Sequence, residues 1–362
     1  LILSDANSVH TFRWVQSIKQ HKIEIVLFSF FIPTKSILKK YNKINVKIVS
    51  PNLKPKVKNL REPNISKIRY LGSIMLLRST IKDIKPTVIH AHYASSYGLL
   101  GWLCRFKPFI LSVWGSDVYY FPYKNFFNKW IMRFIIHYPN ILCSTSYAMK
   151  KIIEKDYRRK DVKVIPFGVD INLFSSKNKT NEDFTVGTIK SIESHNGIEN
   201  ILEAAKIIIH DYNEKINFLI IGGGTLLNSM KEKAKKLSIE KNVCFTGHMN
   251  HEIAVKNYSL FSVFVAVSTR ESFGVSVVEA SASGVPSITS NIGGLSEVNL
   301  HNKTGLVLSE NNPYELADSI MKLYKDNELR IKLGNNARNY AAENFNWKDN
   351  VSQMINIYKE QL

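Results

Sequence analysis

The chain has 362 residues, 44% hydrophobic and 22% charged, with 17 Gly and 11 Pro. That is about twice a common domain length, so two domains are expected, and a disordered, collagenous or low-complexity chain is excluded because it could not bury enough apolar surface to offset its ordering entropy. The formal net charge of +19 is lopsided: residues 1–175 hold 29 Lys and Arg against 9 Asp and Glu, and the remainder 20 against 21. Codon bias would act on both halves alike, so the excess suggests an anionic partner for the first half (nucleic acid, an acidic membrane surface or a phosphorylated substrate), with a solvated lysine surface as the plain alternative.

Short apolar runs alternate with helix-length segments along the whole chain, the pattern of parallel sheets with crossover helices. Strands are predicted at Leu1–Ser4, Glu24–Phe28, Val46–Val49, Thr87–His90, Phe109–Val113, Ile141–Ser144 and Val162–Ile165, then at Thr185–Thr188, Asn217–Ile221, Val243–Phe245, Val263–Val267, Ser287–Thr289 and Gly305–Leu308. The clearest helix carries Ile198, Ile201, Leu202, Ala205, Ile208 and Ile209 on one face. Ser175–Asp183 has no apolar residue and reads as a linker. The domains expected are 1–172 and 184–346, with a terminal helix 347–362 whose Val351, Met354, Ile355 and Tyr358 share a face and return to the first domain. The fold class is α/β: two doubly wound domains facing each other across a cleft, with ligands at the carboxyl ends of the strands.

Cys104, Cys143 and Cys244 are widely spaced and form no C-x-x-C, so neither a disulfide framework nor a thiolate zinc site is expected and a reducing compartment fits. The apolar runs Ile25–Phe28 and Phe134–Ile136 fall far short of the ~20 residues that cross a bilayer, and no basic-then-apolar leader opens the chain. A cytoplasmic protein is expected. Leu1-Ile2-Leu3 begins inside a strand, so a Met and one or two residues are expected before it.

The sharpest signal is the run Ser268–Pro286. A strand ends near Val267, a loop carries Glu271 and Gly274, a helix runs from Val275 to Ser283, and Gly284 and Pro286 stop it. Glu271 precedes the helix and Glu279 lies two turns into it, seven residues between them. Gly274 allows close backbone approach, and the N–H groups of Phe273 to Ser276 suit an anion. The two carboxylates suit hydrogen bonds from sugar hydroxyls on either side of a diphosphate. A helix-terminal charge and a solvated Glu would explain them without function, but Glu279 sits among Val277, Val278, Ala280 and Ala282, and a lone buried Glu is costly.

This pair resembles the E-x7-E motif of retaining glycosyltransferases with the GT-B fold, in particular family 4. The likeness extends to Val164-Ile165-Pro166-Phe167-Gly168-Val169-Asp170, Phe184–Lys190 with Asn196-Gly197, Phe218–Gly224, Phe245-Thr246-Gly247, Ile292–Val298 and Lys303-Thr304-Gly305. It implies metal-free transfer from a nucleotide-activated sugar, with retention and no cofactor beyond the nucleotide-sugar. By position, Glu279 would bind the donor ribose, Glu271 the transferred sugar, the backbone of Phe273, Gly274 and Val275, with Ser276, the sugar and distal phosphate, and His248 and Met249 the base, uridine being preferred. The Arg and Lys that such enzymes present to the diphosphate are replaced by Thr188 and Asn196, leaving Lys190 and then His195 as cations. Asp5-Ala6-Asn7-Ser8-Val9-His10 replaces a glycine pair near the diphosphate, where Ser8 and His10 could still donate hydrogen bonds.

In the first half, Leu111–Val118 resembles the family's "HGSD" loop with Trp114 in place of His; Asp117 is expected to orient an acceptor hydroxyl or the donor sugar, or else to cap a turn. His90 and His92 have a metal-compatible spacing without an evident third ligand, so no metal is expected. His10, His92, Trp114, Tyr119 and Tyr120 are the expected acceptor side. Tyr119–Trp130, with Arg133 beyond it, interleaves aromatics with lysines, as suits an anionic membrane or single-stranded nucleic acid, while Phe127, Trp130, Ile131, Phe134 and Ile135 read as the buried face of a helix. The leading reading is transfer of a sugar, from UDP above all, to a glycan or polyprenyl-diphosphate-linked acceptor in cell-surface polysaccharide or glycolipid synthesis, at the inner face of a membrane and without nucleic acid. The alternatives are a sugar-nucleotide epimerase on the same fold, a nucleic-acid-binding protein, and an inactive scaffold.

Overall fold

The structure is a computed structural model that describes residues 1–53, 66–174 and 183–361. It divides into two units, Leu1–Ile165 with Val351–Leu362, and Pro166–Asn350. The linker expected at Ser175–Asp183 falls, apart from Asp183, outside the described residues.

In the first unit seven strands are described: β1 (Ile2–Leu3), β2 (Val26–Phe28), β3 (Lys47–Val49), β4 (Ile89–His92), β5 (Phe109–Val113), β6 (Ile141–Ser144) and β7 (Val162–Val164). All pair in parallel, in the order β3-β2-β1-β4-β5-β6-β7, with Ile2 opposite both Leu27 and His90. The chain starts in the middle of the sheet, winds to one edge, returns and winds to the other, which puts the switch point between β1 and β4. Every residue of β4, β5 and β6 is buried, as the near-continuous apolar runs require of a sheet covered on both faces.

The second unit holds β8 (Thr185–Ile189), β9 (Asn217–Ile221), β10 (Val243–Gly247), β11 (Val263–Ala266), β12 (Ser287–Ser290) and β13 (Gly305–Leu308), parallel in the order β10-β9-β8-β11-β12-β13. Its switch point lies between β8 and β11, where Val263 and Phe264 pair with Val186 and Gly187. The helix Ile198–Lys206 buries Ile198, Ile201, Leu202, Ala204 and Ala205, and a π-helical turn, Ile207–Asp211, carries the chain on with Ile207 and Ile208 inside. Each Ile or Leu among them contributes about 1.5–3 kcal/mol when fully buried.

Residues 166–172, placed with the first half in the sequence reading, belong to the second unit. The Val169 N–H donates to Phe345 O at 2.8 Å and Trp347 N–H to Val169 O at 2.9 Å, while Asn350 Nδ2 donates to Pro166 O at 2.9 Å. Conversely the terminal helix, Trp347–Lys359, is divided at Val351, after which it groups with the first unit and buries Val351, Met354, Ile355, Ile357 and Tyr358. Among the described residues no helix is long and apolar enough to cross a membrane.

Candidate functional site

The expected site residues of the second unit follow the carboxyl ends of β8, β10 and β11. Past β8 the chain turns at Lys190, whose carbonyl lies against Gly222 just beyond β9. Gly222 has φ 150°, and a Cβ there would sit 1.9 Å from the Lys190 oxygen, so only glycine permits this approach. Lys190 N–H donates to Ile221 O at 3.0 Å, which fixes the backbone from which the side chain leaves.

That side chain forms an ion pair with Glu271, which stands on the loop after β11. The two side chains are 13% and 16% exposed, so the pair is largely removed from water. Burial alone would push the Glu271 carboxyl up. The Lys190 charge and hydrogen bond, with the backbone N–H groups of Ser272 and Phe273, outweigh it and hold the group below the usual carboxylate range. Glu271 Oε1 accepts from Ser272 N–H at 3.1 Å.

Three residues on, Gly274 adopts the left-handed conformation (φ 98°, ψ 49°) and opens the helix Val275–Ala282. A side chain there would be strained by φ and would meet Leu295 Cδ2 at 2.8 Å. The opening turn of an α-helix leaves N–H groups without intrahelical acceptors, and the macrodipole adds positive potential. Glu279 follows on the buried side of this helix, 5% exposed, and accepts from Tyr258 Oη at 2.8 Å. Burial and the Glu279 charge together raise the Tyr258 hydroxyl well above its ordinary value, so Tyr258 remains a donor. Tyr258 is the participant that the sequence reading missed. It lies on a short 3-10 turn, Asn257–Leu260, and no spacing links it to Glu279.

The remaining donor-side expectations fall out unevenly. Phe273 is buried against Phe167 and Phe345, with ring centroids 6.4 and 5.4 Å away. Ser276 Oγ and Thr188 Oγ1 are buried hydroxyls that find no hydrogen-bond partner among the described residues. His248 is exposed and Met249 half-buried after β10, and His195 is half-buried on a turn whose carbonyl accepts from Thr269 N–H at 2.9 Å. Asn196 does not replace a cation: its Nδ2 donates to Ser191 O at 2.7 Å and Ser191 Oγ at 2.9 Å, pinning that loop.

In the first unit several expected acceptor residues are interior supports. Asp117 is fully buried, and its carboxylate accepts from Ala94 N–H at 2.8 Å, Gly115 N–H at 2.8 Å and Trp114 N–H at 3.2 Å. Both of its oxygens accept from backbone N–H groups, which organises the turn after β5, the capping role that the sequence offered as the alternative. His90 places Nδ1 2.7 Å from Tyr358 Oη and Nε2 2.8 Å from Ser112 Oγ, which engages both ring nitrogens. His92 is 2% exposed, with Nδ1 3.1 Å from Ser4 Oγ and its ring stacked on Trp114 at 4.5 Å, so Trp114 rather than His92 reaches the half-buried shell. His10 packs edge-on to Trp114 at 6.2 Å, and Ser8 caps the first helix by accepting from Thr11 N–H at 3.4 Å. Tyr119 is half-buried on the core, and Tyr120 is 45% exposed beneath Lys124 Nζ at 4.2 Å. Among the described residues no group of three or more His, Cys, Asp or Glu is arranged to hold a metal ion.

The face expected to be buried on the helix Phe126–His137 holds only in part: Ile135 is buried and Ile131 half-buried on the core, but Phe127, Trp130 and Phe134 are not. Met132, Ile135 and Ile136 are buried, whereas Phe126, Phe127, Trp130 and Phe134 stand in solvent. Apolar residues fill both sides of this helix, so periodicity could not say which side the sheet would take.

Residues 170–340 match the family model described as glycosyl transferases group 1, and residues 1–146 match that described as glycosyl transferase 4-like. The chain is 28% identical over 243 residues to an uncharacterized glycosyltransferase of Methanocaldococcus jannaschii, a match covering 65% of this chain but 62% of that protein's length. It is 24% identical to the N-acetyl-alpha-D-glucosaminyl L-malate synthase of Bacillus anthracis over 76% of this chain and 75% of the relative. Among solved structures, the Anabaena protein HepE in complex with UDP-glucose superposes with a TM-score of 0.80 at 16% identity, covering 99% of this chain and 98% of the other. The two models, both of glycosyltransferases, account for residues 1–146 and 170–340, so the chain belongs to the glycosyltransferases, its second unit to those of group 1, and has the GT-B fold.

Proposed function

We propose that the protein transfers a glycosyl unit from a UDP-sugar to an anionic glycan or lipid-diphosphate-linked acceptor, with retention of configuration and without a metal. The observation that carries this reading is the Gly274-opened helix tip with Glu271 ahead of it, ion-paired to Lys190, and Glu279 two turns in. The positive potential of that tip suits the diphosphate, and Lys190 adds a full charge that Glu271 shares until the donor arrives. Glu279, oriented by Tyr258, accepts from the ribose hydroxyls, and Glu271 accepts from the hydroxyls of the sugar being transferred. The buried Ser276 hydroxyl gains a partner when donor oxygens enter. The UDP-glucose complex of HepE and the relative named for L-malate, an anion, support the donor and the charge of the acceptor; so does the +20 balance of residues 1–175.

In the transfer, the bond from the anomeric carbon to the leaving phosphate oxygen breaks while the acceptor oxygen attacks from the same face. The leaving oxygen takes the acceptor's proton, so no separate protein base is required. Closure against water would protect this step from hydrolysis.

A panel of UDP-, GDP- and ADP-sugars tests the reading by thermal shift, followed by NMR of the product's anomeric proton. A UDP-sugar should stabilise the protein and leave its configuration in the product. Glu271→Ala should lose turnover on the order of 10²-fold and Glu279→Ala should chiefly raise the donor KM. No shift with any nucleotide sugar, or an inverted product, overturns it.

A further inference from the structure

The exposed rings on the helix Phe126–His137 are unlike scattered surface hydrophobics. Phe126, Phe127, Trp130 and Phe134 are 78%, 72%, 52% and 41% exposed. At 3.6 residues per turn they fall within about 100° of arc, roughly opposite Met132, Ile135 and Ile136, which anchor the helix to the unit's core. The helix therefore lies flat on its domain with a band of rings pointing outward. The band is continuous: Trp130 packs edge-on to Phe134 at 4.7 Å, and Phe134 stacks on Trp102 at 6.0 Å.

Cations border these rings. Lys129 and Arg133 flank them on the helix, and Arg105 covers the outer side of Trp102 at 5.3 Å. From Leu99 to Ile153 the only acidic residue in the sequence is Asp117, which is buried. Beyond that stretch, the Asp156 carboxylate is engaged by Tyr123 Oη, which donates to it.

From this geometry we infer that the helix Phe126–His137 is an interfacial anchor that seats the first unit on an anionic lipid bilayer. Rings at headgroup depth bury their apolar edges while Lys129, Arg133 and Arg105 meet lipid phosphate. A helix packed along its inner face can insert only one layer of side chains, the depth of a peripheral contact. The other occupants of such a face fit less well. Stacking of single-stranded nucleic acid needs ring faces laid along a groove, and here Phe126, Phe127 and Trp130 stand on a convex helix, with Phe134 edge-on to Trp130 and its face taken by Trp102. A second copy would set two strongly basic units against each other.

Co-sedimentation of the full chain with phosphatidylcholine vesicles, with and without phosphatidylglycerol, tests the anchor and needs no sugar donor, so its outcome is independent of the glycosyl-transfer reading. The protein should pellet at least about tenfold more with the anionic vesicles, and less as salt rises. Phe127→Ser with Trp130→Ser should reduce that binding about tenfold or more, and Lys129→Glu with Arg133→Glu should abolish the preference for anionic lipid. All four positions are solvent-facing, so thermal midpoints should hold; if the ring variant unfolds, the charge variant and a vesicle-induced blue shift of tryptophan emission decide instead. Equal binding to both vesicle types or to neither overturns the inference. So do unchanged binding of the variants, self-association that the ring variant abolishes, and tighter retention on single-stranded nucleic acid than on anionic vesicles.

Discussion

The Lys190–Glu271 pair couples a carboxylate that burial disfavours to the cation that makes its charge tolerable. Removing one member of a buried pair strands the other at a cost of about 3–5 kcal/mol. The pH dependence of that cost has a definite sign. Glu271 titrates lower when folded than unfolded, so its contribution is complete above the ordinary carboxylate value and is lost as pH falls through the depressed one. Lys190→Met is therefore expected to be destabilised near neutrality, with the deficit shrinking in acid. Urea unfolding of both proteins at several pH values reads this directly, and a deficit that stays level with pH would detach Glu271 from the effect. At the same scale Asp117 shows why a motif does not settle a role. The resemblance of Leu111–Val118 to a family loop suggests a substrate-facing Asp117, but three backbone N–H groups converge on its carboxylate.

Among the elements, the short helix Val275–Ala282 depends most on one residue. Gly274 is held at φ 98° with Leu295 and Val298 close by, and Gly294 in turn lies so near Phe273 that a Cβ would fall 2.5 Å from its Cα. Gly274→Ala should cost upwards of about 1 kcal/mol and raise the donor KM by tilting the helix tip, as steady-state kinetics with a fixed acceptor would show. Unaltered KM together with lowered stability would confine Gly274 to the fold. Boundaries of such elements were readable beforehand from Gly284 and Pro286, and so were the thirteen strands found among the described residues, because apolar runs of strand length between turn residues admit few other structures. The orientation of Phe126–His137 was not, since rings and aliphatics occupy opposite faces and either could have met the sheet.

For the molecule as a whole, the last residues stabilise the unit formed by the first. Tyr358 meets His90 at 2.7 Å, across 268 positions, and Lys163 pairs with Glu360. Burial pushes the His90 imidazole far below its usual range. The unfolded chain therefore binds the proton first, and stability should fall as pH drops below about 6.5, by about 1.4 kcal/mol per pH unit for this group. His90→Gln should flatten that slope, and Tyr358→Phe should lower the stability of the first unit at all pH values; denaturant midpoints across pH 4–8 would show both. A slope shared by wild type and His90→Gln would assign the acid sensitivity to other groups.

What the order of residues determined alone was local or cumulative: two α/β units, the strand sequence, the charge imbalance and the acidic pair around a helix tip. These follow from periodicity, turn chemistry and composition, each legible within a few turns of chain. Only tertiary structure decided which polar groups face inward. Tyr258 on Glu279, Lys190 on Glu271 and the convergence on Asp117 join residues through packing, and burial sets whether a carboxylate or imidazole is available for chemistry or is held as part of the frame. It also decided which side of Phe126–His137 faces solvent, because that choice rests on what the sheet beneath it can bury.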